Sequence, residues 1–122
     1  MNKQYEIHDR IFAFVVRGLK VVRFIPHTVE SKIVVDQYIR SLTSVGANDN
    51  DADGVTSKRD FIHAYTIVRK ELKETRYWLR IISEIFSALK TRTQSLIQEN
   101  EELIKEYRKR LEEYRDKLGI EE

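Results

Sequence analysis

Three groups of residues have types and spacings that could do chemistry. The first is a cationic row, Arg69, Lys73, Arg76 and Arg80, in which a positive side chain returns every three or four residues. On a helix that spacing lines four cations along one side, where they could follow a phosphate backbone without reading its sequence. Arg10, Arg17 and Lys20 on the first helix are candidates to lie near the same row and add to it. About four to seven phosphate contacts would give micromolar, steeply salt-dependent binding. No aromatic residue interleaves the row, so base stacking is not expected there. The competing reading is a solvated helix face paired with an acidic neighbour.

The second group is Glu71 and Glu74, three residues apart among apolar neighbours. Acid–base catalysis by such a pair would need a pocket that drives the two carboxyl pKa values apart. An ion pair to Arg17, Arg40 or Lys70, within the chain or between copies, is the simpler reading. The third is Asp49-Asn50-Asp51-Ala52-Asp53-Gly54 followed by Asp60. It approaches a calcium loop, with Asp49, Asp51 and Asp53 at alternate positions, a glycine sixth and Asp60 twelfth, where glutamate is the rule. Thr56 stands where such loops carry a bulky apolar residue, and no second loop is present to pair with it. An acidic turn capping the next helix is preferred, and no metal is assigned. His8, His27 and His63 lack ligand spacing, and no nucleophile–base pair or glycine-rich phosphate loop exists. No enzymatic activity and no cofactor are expected.

These residues must be positioned by helices. Helix 1 (about residues 7–25) places Ile11, Phe14, Gly18, Val21 and Ile25 at spacings of three and four, and Pro26 stops it. A second apolar row, Phe12, Val15, Leu19 and Val22, lies alongside. Helix 2 (about 28–50) starts at Thr28, a good N-cap, carries Tyr38, Leu42 and Val45, and fades in the Asp-rich stretch. Helix 3 (about 58–87) follows a capping-box-like Ser57-Lys58-Arg59-Asp60 and sustains one seam from Phe61 to Leu89. Helix 4 (about 92–118) has a narrow stripe through Ile97, Asn100, Ile104, Tyr107 and Leu111 in a charged background, with Thr91 and Gln94 as a second candidate cap. Asn100 on that stripe is read as fixing register. Four long helices with short connections predict an all-α, antiparallel up-down-up-down four-helix bundle, one domain over residues 1–122. Helix 4 should lie outermost, with helices 1 and 3 covered twice. One flank of helix 3, Ile67, Glu71, Glu74, Trp78, Ile81 and Ile85, is surplus to a single core, and a second copy of the chain is its simplest partner.

Composition agrees. In 122 residues there is one proline and there are four glycines, too few for an all-β fold, and with no cysteine disulfides and thiolate chemistry are excluded. No apolar run reaches the roughly 18 residues of a membrane span, and the first six residues lack a leader's apolar core. A cytoplasmic location, with no membrane partner, is the default expectation. The net charge is only +2, but residues 61–92 carry seven basic and three acidic groups and residues 93–122 six and nine. An anionic partner is therefore expected on one side only.

Several blocks together carry a resemblance: Asp36-Gln37 with Arg40-Ser41, Thr43-Ser44-Val45-Gly46-Ala47-Asn48, Ser57-Lys58-Arg59-Asp60-Phe61-Ile62-His63, Lys70-Glu71 and Glu74-Thr75-Arg76-Tyr77-Trp78-Leu79. In order and spacing the chain resembles the small four-helix proteins encoded by intervening sequences of bacterial 23S ribosomal RNA genes, most strongly over residues 10–82. The resemblance implies a left-handed bundle, assembly as a homopentamer, and no established enzymatic activity. A related group, the accessory proteins of diversity-generating retroelements, implies RNA and a reverse transcriptase as partner classes. After Ala47-Asn48 the family usually continues as helix, and the Asp-rich segment departs from that pattern. The functional expectation is an RNA- or ribonucleoprotein-associated module using its basic face. The alternative is a protein-interaction scaffold or adaptor without nucleic-acid affinity.

Overall fold

The structure, a computed structural model, describes residues 3–119, with side chains from Glu6 onward. Met1 and Asn2, within the stretch read above for a leader, lie outside the described residues, as do residues 120–122. The described chain is all-helical: α1 (Lys3–Val21), α2 (Val29–Ala52), α3 (Lys58–Ile85) and α4 (Lys90–Leu118), with short 3-10 turns at Val22–Phe24 and Ser87–Leu89. No described helix is long and apolar enough to cross a membrane.

The ends of the helices follow local chemistry. Ile25, before Pro26, is extended (φ −82°, ψ 122°), as a pre-proline residue prefers, and α1 cannot continue. At the start of α2 the Thr28 side chain accepts from the Ser31 amide at 3.1 Å and the Ser31 hydroxyl accepts from the Thr28 amide at 2.7 Å, a reciprocal capping box. Ser57 caps α3 by accepting from the Asp60 amide at 3.1 Å. The expected Thr91 and Gln94 cap is not used. α4 begins two residues earlier than that reading, after the 3-10 turn, with Leu89 as a cap that offers no side-chain acceptor. Gly119, at φ 69°, closes α4 in the left-handed conformation that glycine adopts without strain.

α2 ends within the Asp-rich stretch where the sequence has it fade, at Ala52. It runs through Asp49, Asn50 and Asp51 to Ala52, because Asp49 and Ala52 face inward, buried at 4% and 0% exposure. Tertiary packing overrides the turn propensity of the Asp-rich segment. The helix is thus continuous here despite the departure in sequence.

The seam of α3 supplies the centre of the core. Tyr65, Val68, Leu72, Thr75, Leu79 and Ile82 are all fully buried, between α2 on one side and α4 on the other. Each large apolar side chain so buried contributes about 1.5–3 kcal/mol relative to exposure. α4 is not the outermost element: it buries Leu96, Asn100, Leu103, Tyr107 and Leu111 against its neighbours. α1 is the more lightly covered helix. It packs on α2 and α4 through Ile7, Ile11, Phe14 and Val21 and leaves Phe12 61% exposed, with Val16 and Leu19 open beside it. α1 and α2 approach closely at Gly18, whose carbonyl accepts from the buried Tyr38 hydroxyl at 2.9 Å. A Cβ at that position would stand 2.7 Å from Leu42 Cδ2 and 2.8 Å from the Tyr38 hydroxyl.

Candidate nucleic-acid interface

α3 separates its charges by flank. Toward α2 it presents Glu71 and Glu74. Arg40 of α2 donates to Glu71 at 3.1 Å and is also paired with Glu74, while Trp78 Nε1 donates to Glu74 at 3.2 Å. Toward α4 it presents the cationic row. Lys73 and Arg80 are exposed, Arg76 is half-buried, and no described carboxylate pairs with any of the three. Arg80 borders a groove of about 680 Å³ whose α4 wall includes Gln94, Ile97 and Glu101. Arg69 is half-buried, and its Nε is enclosed without a hydrogen-bond partner. Lys73 and Arg80 are thus the most exposed members of the row, with Arg69 and Arg76 half-buried beside them.

The expected seven-cation face does not form. Arg10 is engaged by α4, donating to Glu99 at 2.7 Å and Glu102 at 3.3 Å, and the Glu99 hydrogen bond is the main reason its pKa is raised. Arg17 donates to the Ser95 hydroxyl at 2.8 Å, and Lys20 is exposed near the same helix. These three cations lie on the α1 side of α4, whereas the α3 row lies on its other side. The acid-rich α4 stands between them, a consequence of helix rotation that residue spacing alone does not report.

The surplus flank of α3 is also largely used at home. Glu71 is 5% exposed and paired with Arg40 of α2, and Trp78 is half-buried against the core of the same chain. Ile67 and Ile81 are half-buried, and only Ile85, at 42% exposure, is open to a partner. The Glu71–Glu74 pair is therefore an intrachain ion-pair cluster around Arg40.

Asp49 is the residue most misjudged from sequence. Its carboxylate joins three helices: His8 Nδ1 of α1 lies 2.8 Å from one oxygen, and the buried Tyr107 hydroxyl of α4 donates to the other. Burial, reinforced by the Asp49 charge, pushes the Tyr107 pKa well above the ordinary tyrosine value, so Tyr107 is a proton donor here. The Tyr65 ring stacks on Tyr107 with centroids 4.8 Å apart. The calcium-loop reading fails for the same reason. Asp49 faces the interior, Asp51 lies on the helix and is exposed, and Asp60 is in the first turn of α3. No cluster of three or more potential metal ligands occurs among the described residues.

One cationic cluster was missed. Arg92, at the start of α4, lies over the ring of Phe24 with its guanidinium carbon 4.0 Å from the centroid. With Arg17, Lys20 and Ser95 they line a pocket of about 250 Å³. Phe24 and Arg92 are far apart in sequence, and no local pattern links them.

Among known families, the model of the 23S rRNA-intervening sequence protein matches residues 3–109. The chain belongs to that family. Among solved structures, the chain is similar to a protein of unknown function from the S23 ribosomal protein family of Bacteroides thetaiotaomicron. The two share 28% sequence identity and a TM-score of 0.79, over 91% of this chain and 99% of the other. No curated protein matches the chain.

Proposed function

We propose that this protein is a non-enzymatic binding module that associates with RNA or a ribonucleoprotein in the cytoplasm. In this reading it is an antiparallel up-down-up-down bundle assembled as a homopentamer. The observation that carries the RNA reading is the row Lys73, Arg76 and Arg80, which reaches solvent without a carboxylate partner. Cations so placed attract phosphate through counterion release and read no sequence. The antiparallel order is supported by contacts that run in reverse, Arg10 meeting Glu99 and Glu102 while Arg17 meets Ser95. Assembly is supported by the exposed apolar side chains Phe12, Val16, Leu19 and Ile85, which gain by being covered. No cofactor enters this reading.

A second reading, a protein scaffold or adaptor for a partner such as a reverse transcriptase, is favoured by the cleft between α1 and α2. That cleft, about 450 Å³, is walled by Phe12, Val15 and Val16 and floored by Gly46 and Ala47. RNA binding measured across a salt series separates the two. The RNA reading expects affinity that falls steeply with salt. It also expects a shallower slope in Lys73→Ala/Arg80→Ala, by about 0.7 for each phosphate of single-stranded RNA that is no longer neutralised. Absence of RNA binding even at low salt would leave the scaffold. Light scattering on Ile85→Glu and Phe12→Glu tests assembly: a mass unchanged by both would place the contact between copies elsewhere.

A further inference from the structure

The α1–α4 interface treats its cations unequally. Arg10 is met by two glutamates of α4, whereas Arg17, two turns further along α1, is met only by the Ser95 hydroxyl. Lys20 follows on α1 and Arg92 faces it from α4, so three cations converge on one small pocket. None of the three has a carboxylate partner among the described residues, and the residues lining the pocket include no acid. The first turn of α4 also lacks acidic residues, so no side chain of that turn offsets the positive end of its dipole. Concentrating like charges costs free energy unless an anion shares the site. Val21 and Leu96 give the pocket an apolar floor, and Phe24, half exposed at 50%, stands beside it with Arg92 stacked on its ring. Convergent cations beside an aromatic–guanidinium stack are the two parts that single-stranded RNA recognition combines.

The geometry points to a ribonucleotide site at this end of the molecule, in which Arg17, Lys20 and Arg92 bind a phosphate and the Phe24–Arg92 stack receives the adjoining base. The site is separate from the α3 row and shares with the proposed function only the class of ligand. It supplies the base-stacking element that the row lacks. Arg10, already neutralised by Glu99 and Glu102, takes no part.

The test is fluorescence anisotropy of labelled pentauridylate on the intact protein, across salt, against an abasic sugar–phosphate pentamer. Phe24→Ala is expected to weaken pentauridylate about tenfold and leave the abasic pentamer unchanged, because stacking on one aromatic is what it removes. Phe24→Tyr keeps a ring and is expected to bind as wild type, which guards against a folding artefact. Arg17→Ala/Lys20→Ala is expected to weaken both ligands and flatten the salt slope. Inorganic phosphate should compete equally with both ligands. Binding unaffected by Phe24→Ala and Arg17→Ala/Lys20→Ala but lost in Lys73→Ala/Arg80→Ala would overturn this site and leave the α3 row standing. The converse result would support this site and remove the α3 row. Equal wild-type affinity for the abasic and uridine pentamers would overturn the base contact. Equal competition by a polyglutamate peptide would overturn the nucleotide class in favour of an acidic protein partner.

Discussion

Replacing Arg40 with methionine gives the sharpest test of how α3 is held. Arg40 is half exposed, with its side chain at 49%, but Glu71 is not, with its side chain at 7%. The substitution keeps an apolar stem of similar reach and removes the donor that compensates a buried carboxylate. An exposed guanidinium is screened, so little of the effect comes from lost attraction. Most comes from stranding Glu71, since removing one partner of a buried ion pair costs about 3–5 kcal/mol. Partial exposure of Arg40 and relaxation toward water put the expectation at the lower end, about 3 kcal/mol. For a chain of this size that is roughly 12 °C in Tm. Glu71→Gln should cost less, about 1 kcal/mol, because a neutral amide tolerates the same site. The double variant should recover part of the Arg40→Met loss, with a coupling of about 1–2 kcal/mol. Urea denaturation of all four proteins at two concentrations provides the assay. A coupling near zero, or one that fades on dilution, would refute the reasoning, since the pair would then be idle or formed between copies.

Further outcomes follow from the same core. Burial raises the pKa of Tyr38, Tyr65 and Tyr107 above the ordinary value. The unfolded chain therefore loses these protons first, and stability is full below about pH 10 and lost above it, at about 1.4 kcal/mol per tyrosine per pH unit. Circular dichroism and tyrosinate absorbance recorded together should show these rings ionising only as helix is lost, and ionisation without unfolding would contradict their burial. Gly18→Ala should cost about 1–3 kcal/mol, because the added carbon must displace Leu42 or break the Tyr38 hydrogen bond. Thermal melts check this, and a neutral result would mean α1 can move away. Asn100→Leu should gain about 1 kcal/mol in the same melts, since both amide atoms are buried without a protein partner. A loss of that size would show the amide to be satisfied.

What the sequence reveals depends on whether the signal is local. The three- and four-residue spacing on α3 identifies its buried seam from Tyr65 to Ile82, and Thr28 and Ser57 mark two helix starts through hydrogen bonds three residues away. Arg40 is legible as one of three possible partners for Glu71, and only packing selects it. Asp49 misleads because turn propensity belongs to its neighbours while its burial is set by His8 and Tyr107, 41 and 58 residues distant. The cationic face fails similarly: spacing gives the phase of each helix about its own axis, not the side from which the next helix approaches. Phe24 and Arg92 meet only because α1 and α4 do.

The Asp49 cluster shapes how the molecule opens. α1 touches its neighbours more sparingly than α2, α3 and α4 touch one another in sequence. Its N-terminal half is fastened largely by Ile7 and Ile11 in the core, the Arg10 pairs, and His8 on Asp49. When α1 lifts away, Asp49 keeps Tyr107 but loses His8, and the three remaining helices stay joined through α3. The amides of α1 should therefore exchange with solvent through a partial opening that leaves those of α3 protected, making the chain a three-helix unit with a latch.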